Sequence, residues 1–120
     1  MKFKSLKKML FAAVLMLLFT INATAQDKTV EGAKDVTSYM KEQLDLNDGQ
    51  YTKVYDVNLT FLQKVAENNK KNTGVERVKK LRALESERDE KLKSVLSTEQ
   101  YKVYVGNKTA NRKKIAEYYK

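Results

Sequence analysis

The chain has no cysteine, no histidine, no tryptophan and no proline, and only four glycines in 120 residues. Each absence narrows what the protein can be. Without cysteine there are no disulfides, no thiol nucleophile and no thiolate metal site. Without histidine the usual general base and the commonest metal ligand are missing. The acid pair Glu87 and Glu90 has nothing concave implied around it and reads as a solvated helix face. An enzyme is therefore not expected, and no cofactor is implied. Zn or Cu binding is not expected either, because beyond the N-terminal segment only carboxylates and Met40 remain as ligands. Missing proline and scarce glycine remove the punctuation that a β-sandwich or barrel needs at its turns. Lys, Glu, Leu, Ala and Gln, which dominate the rest, favour helix. The expected class is all-α.

The first 25 residues stand apart from the rest. Lys2, Lys4, Lys7 and Lys8 precede an apolar block, Met9 to Phe19, and then Thr20-Ile-Asn-Ala-Thr-Ala25. A basic start, a short apolar core and an Ala-x-Ala ending (Ala23, Ala25) have the order of a secretory signal peptide. The block falls short of the roughly 20 residues that span a bilayer. An uncleaved anchor is the competing reading, and the absence of a following Cys excludes a lipoprotein. The expected organisation is a signal peptide over 1–25 and one helical domain over 26–120, with a mature start at Gln26 and a periplasmic location. The leader holds four of the 24 basic residues and none of the 15 acidic ones, so the formal charge falls from +9 to +5 beyond it. A domain this small leaves much of its surface exposed, and without disulfides oligomerisation is the natural compensation. A homodimer is expected.

Two short stretches organise the remainder. Leu46-Asn-Asp-Gly-Gln-Tyr51 and Leu96-Ser-Thr-Glu-Gln-Tyr101 lie 50 positions apart, and each opens a run of apolar residues at helical spacing. Asn47 and Ser97 are N-cap residues, Gln50 and Gln100 complete capping boxes, and Leu46 and Leu96 sit where a hydrophobic staple would. Residues 27–34 read as a flexible lead-in and Ala33 to Leu44 as a first helix. A long second helix carries Tyr51, Val54, Tyr55, Asn58, Phe61, Leu62 and Val65 on one stripe, and ends near Gly74 in a left-handed C′ position. A third, about Val75 to Val95, carries Val75, Val78, Leu81, Leu84, Leu92 and Val95, with Glu85 and Arg88 interrupting a segment open to solvent on most sides. A fourth carries Tyr101, Tyr104, Val105, Ile115, Ala116 and Tyr119. Where the second helix has Asn58, Phe61 and Leu62, its counterpart has Lys108, Asn111 and Arg112.

A paired Leu-cap-x-x-Gln element in a small helical chain behind a leader resembles the Spy/CpxP family of periplasmic proteins, whose signature is a repeated L-T-x-x-Q. Leu46, Gln50, Leu96 and Gln100 match it; Asn47 and Ser97 stand in place of the Thr and keep its capping role. The resemblance covers about residues 35 to 119. It implies an extended bent hairpin of about four helices, two of them long, pairing into a cradle-shaped dimer with a basic and apolar concave face. It also implies ATP-independent chaperoning of unfolded envelope proteins, or restraint of an envelope-stress sensor; some relatives bind heavy metals.

The residues by themselves offer two kinds of candidate surface. The seven tyrosines (Tyr39, Tyr51, Tyr55, Tyr101, Tyr104, Tyr118, Tyr119) present apolar faces with water-tolerant hydroxyls, suited either to receiving varied segments or to half-buried packing. Lys79, Lys80 and Arg82 on the third helix and Lys108, Arg112, Lys113 and Lys114 on the fourth form basic clusters. Lys108 and Arg112 fall on a stripe that should be apolar, so acidic clients, a partner's carboxylates or water are expected to face them, or else they snorkel. Lys108, Asn111, Arg112, Tyr104 and Tyr118 are the candidate client-binding residues. Nucleic acid is not an expected partner of a secreted chain, nor is a stable membrane anchor after cleavage. The leading expectation is a chaperone-like binding protein for stressed envelope proteins. An adaptor docking on a sensor, or a structural protein of the envelope, is the alternative.

Overall fold

The computed structural model describes residues 23–120, and among them every regular element is α-helical. The helices are α1 (Ala23–Leu44), α2 (Asp48–Lys71), α3 (Gly74–Val95), α4 (Thr98–Gly106) and α5 (Lys108–Ala116). Residues 1–22, most of the segment expected to be a signal peptide, lie outside the described residues. The all-α class and the long hairpin, here α2 with α3, are found.

Both capping boxes form. The Asn47 side chain accepts from the Gln50 amide at 2.8 Å while Gln50 Oε1 accepts from the Asn47 amide at 3.2 Å. Ser97 and Gln100 repeat this at 3.1 and 2.9 Å. Two of the unpaired donors at each helix start are thereby satisfied locally. The connections before the boxes differ. Asp45 takes a left-handed conformation (φ 53) and the Leu46 amide donates back to Lys41 O at 3.3 Å, a Schellman-type end to α1. α3 ends without such a residue, at Leu96, whose backbone is extended.

Four boundaries depart from the sequence reading. The lead-in over 27–34 is helical, part of α1, because Thr29 and Ala33 are buried and Gly32 lies under the Tyr118 ring. Gly74 has its left-handed φ (57) at the start of α3, whereas α2 is closed by an extended Asn72 donating to Asn68 O. The fourth helix is kinked at Asn107, next to the weak helix former Gly106. The Asn107 side chain donates to Gln43 Oε1 of α1 at 2.9 Å, and the kink turns α5 against α1. Finally, the buried face of α3 begins near Leu84 rather than at Val75, since Val75 and Val78 are 70% and 48% exposed.

α1 packs along α2 and α2 along α3, while α4 and α5 return against α1. Val36, Met40, Val54, Leu62, Val65, Leu92 and Ile115 form the driest part of the core. Their i, i+3/i+4 spacing keeps each on the inward face of its helix.

Candidate functional site

The paired motifs meet in space. Gln50 Nε2 donates to Gln100 Oε1 at 2.7 Å and Gln100 Nε2 donates to Gln50 Oε1 at 3.0 Å, a reciprocal amide pair. Each amide also reaches the end of the helix preceding the other motif: Gln50 to Val95 O at 3.3 Å and Gln100 to Leu44 O at 3.1 Å. Every donor and acceptor position on both side-chain amides is used, counting the capping bonds. Glutamate at either place lacks the NH₂ and could not replace it. Leu46 and Leu96 are buried beside them. This element is a clasp between the two halves of the chain, and it presents no free group for chemistry.

A second polar centre lies inside the bundle. Arg88 is only 6% exposed. Its Nε donates to Asn58 Oδ1 at 2.9 Å and its Nη2 to Asn111 Oδ1 at 2.7 Å, with a longer bond from Nη1 to Tyr104 Oη at 3.4 Å. The guanidinium also lies 5.5 Å from the Phe61 ring centroid and 5.9 Å from that of Tyr104. Asn58 Nδ2 passes the network on to Thr37 Oγ1 at 2.9 Å. Tyr104 Oη donates to Asp89 at 2.7 Å, and Asp89 in turn pairs with Lys108 at 2.7 Å. The nearest formal compensation for the buried cation thus comes through a tyrosine. Burial pushes the Arg88 pKa down, but a guanidinium remains charged. Burial also raises the Tyr104 phenol above its ordinary value.

These contacts relocate several residues expected to bind a client. Asn111 and Tyr104 are buried and hold Arg88. Lys108 and Arg112 flank the network in ion pairs with Asp89 and with Glu85, the latter at 3.5 Å. Tyr118 donates to Asp35, which Lys114 approaches at 3.6 Å, and that bond with the carboxylate raises the Tyr118 pKa to about 12. The carboxylates expected from a partner are supplied by the chain's own third helix and first helix. On the α5 stripe Asn111 answers Arg88 of α3, while Lys108 and Arg112 answer its carboxylates. What the sequence reading took as an interruption of the α3 stripe is its centre. The signal was partial: Asn58 is a lone polar residue in an apolar stripe, whereas Arg88 shares the middle of its stripe with Glu85, and Asn111 shares its own with Lys108 and Arg112.

Solvent-facing apolar surface is found elsewhere. Lys34 and Ser38 of α1 with Tyr51, Thr52 and Tyr55 of α2 line an open depression of about 380 Å³. Lys41 Nζ sits 5.6 Å from the Tyr51 ring centroid, adding a cation at its edge. The opposite end of the α2–α3 hairpin carries Val75 and Val78 amid lysines and arginines.

No curated protein and no solved structure matches the chain. The model of one family, described as a domain of unknown function (DUF4890), matches residues 22–104, which takes in both capped motifs, the clasp and the Arg88 position. The chain is a member of the DUF4890 family.

Proposed function

We propose that this protein is a non-enzymatic binding protein of the cell envelope that holds partly unfolded polypeptides without ATP, in the manner its resemblance to the Spy/CpxP family implies. The observation that carries this reading is the open depression between α1 and α2, where the half-buried faces of Tyr51 and Tyr55 lie beside Lys34. Tyrosine faces accept varied apolar side chains without demanding one shape, and their hydroxyls tolerate water when the site is empty. A lysine at the edge favours segments that also carry carboxylates and speeds their encounter. Such contacts are individually weak, which suits capture followed by release.

The fixed interior supports the same reading. The Arg88 network and the Gln50–Gln100 clasp tie the helices together without using the depression, so a client need not break them to bind. In this proposal Lys108 and Arg112 act on clients only through the field they set up, since both are engaged by acids of α3. The chain acts as a dimer that places two depressions on one assembly.

The test is suppression of aggregation of a chemically unfolded client, with sedimentation to fix the oligomeric state. Lys34→Glu combined with Tyr51→Ser should lose most protection while far-UV helicity stays as in the parent. Protection by the variant equal to that by the parent would overturn the assignment of this surface. Recovery of one dominant partner from an envelope extract, instead of many, would favour the sensor adaptor.

A further inference from the structure

The tip of the α2–α3 hairpin is one of two places where basic residues of the described chain collect. Between Lys70 and Arg82 there are six basic residues (Lys70, Lys71, Arg77, Lys79, Lys80, Arg82) and one acid, Glu76. That excess of five equals the +5 of the whole chain from Gln26 onward. The C-terminal helices are basic as well, but there Lys102, Lys108, Arg112 and Lys114 each lie within salt-bridge distance of a carboxylate. At the tip, among the described residues, the ion pairs take up only Lys71, with Glu67 at 2.6 Å.

The same tip exposes apolar surface. Every residue from Thr73 to Lys80 is exposed, with Val75 and Val78 the most accessible large apolar side chains there. At 3.6 residues per turn Val75, Val78, Lys79 and Arg82 fall in one arc of α3, turned away from the arc of Leu81, Leu84 and Arg88 that faces the bundle. Two valines flanked on their arc by Lys79 and Arg82, at an exposed tip, do not make a groove for a shaped partner. They match a plane of dispersed negative charges over an apolar layer.

We propose that this tip docks the protein peripherally on an anionic lipid surface, with Val75 and Val78 entering the headgroup boundary and the surrounding lysines and arginines facing lipid phosphates. No described helix is long and apolar enough to cross a membrane, so the contact is one of surface attachment. It uses none of the residues of the α1–α2 depression, so the two proposals stand or fall separately.

The experiment is co-sedimentation of the chain, purified as its host processes it, with vesicles of phosphatidylcholine alone or mixed with phosphatidylglycerol, at low and at physiological salt. Binding is expected only to the mixed vesicles and should weaken with salt. Each cation removed near the surface should cost about fivefold in partitioning, so Lys79→Glu/Arg82→Glu, which reverses the two cations on the valine arc, should bind at least about 25-fold less. Val75→Ser/Val78→Ser should lose several-fold. All four positions are exposed, so unchanged thermal melts should accompany both losses. Equal binding to neutral vesicles, no binding to mixed ones, or undiminished binding by the charge-reversal variant would overturn the proposal. Binding to polyglutamate but not to vesicles would also overturn it, in favour of an acidic polypeptide.

Discussion

Replacing Arg88 by methionine keeps the apolar stem and removes every donor. Asn58 Oδ1 and Asn111 Oδ1 then lose the donors that reach them at 2.9 and 2.7 Å in the interior. An orphaned buried acceptor costs about 1–3 kcal/mol, so the pair sets a loss of about 2–6 kcal/mol. Two further effects oppose each other. Relief from burying a cation that no carboxylate touches favours the variant. Loss of the faces of Phe61 and Tyr104, about 0.5–2 kcal/mol, disfavours it. Because a guanidinium is weakly hydrated for a cation, the relief is modest, and a net loss of about 2–3 kcal/mol is expected. For a domain of this size that lowers the melting temperature by roughly 10–20 °C. Circular dichroism melts and urea titrations measure it directly. The sharper arm is the triple variant Arg88→Met, Asn58→Leu, Asn111→Leu, which removes both orphaned acceptors with their donor and leaves the Thr37 hydroxyl to turn to a carbonyl of its own helix. It should regain most of the loss or exceed the parent, as apolar replacement of whole buried polar networks can. A single variant as stable as the parent would refute the reasoning, because the two acceptors would then not depend on Arg88. A triple variant no better than the single would refute it too.

Three further outcomes follow from the same contacts. Gln50→Glu removes an amide that donates to both Gln100 and Val95 O, and should cost about 1–3 kcal/mol in urea; a parent-like midpoint would show that the clasp contributes nothing. Gly32→Ala improves helix propensity by about 1 kcal/mol, yet its Cβ would lie 2.6 Å from Tyr118 Cγ and 2.9 Å from Leu62 Cδ1. The clash should win and lower the melting temperature, and the drop should be smaller when both chains compared carry Tyr118→Ser, which removes the closest contact. Tyr118 has a folded pKa of about 12, above the ordinary phenol value near 10, because its hydroxyl donates to Asp35. The protonated form is the one the fold favours. Its stabilisation is therefore complete below about pH 10 and is lost as pH rises through about 12. The stability gap between the parent and Tyr118→Phe should close over that range, and a gap that stays constant would exclude the bond as its source.

The legible parts of this protein are those whose causes lie within a few residues of one another. Asn47 with Gln50 and Ser97 with Gln100 cap their helices through atoms three positions apart, so the motif and the helix start are one local fact. Helix class followed equally from missing proline, few glycines and apolar spacing. Even the buried residues of α2 were readable, because Val54, Phe61, Leu62 and Val65 lie on a single stripe. Val75 and Val78 were misassigned by that same rule: periodicity gives a face, but says nothing about whether a neighbour extends far enough to cover it.

What tertiary structure alone decided is the fate of the polar groups on those stripes. Arg88 is acceptable inside only because Asn58 on one helix and Asn111 on another arrive at the same level, 30 and 23 positions away in sequence. Asp89 and Glu85 could meet Lys108 and Arg112 only once the kink at Asn107 had turned α5. The two glutamines act first as local caps, and their second role, joining the halves across 50 residues, appears only when the helix ends converge. Hydrogen-bond satisfaction in a dry interior is a condition on several chain segments at once, and no window of sequence contains it. The sequence by itself determined four amphipathic stretches, two of them opened by capping boxes, and their order. The packing decided which of their charges face each other and which are left to face the surroundings.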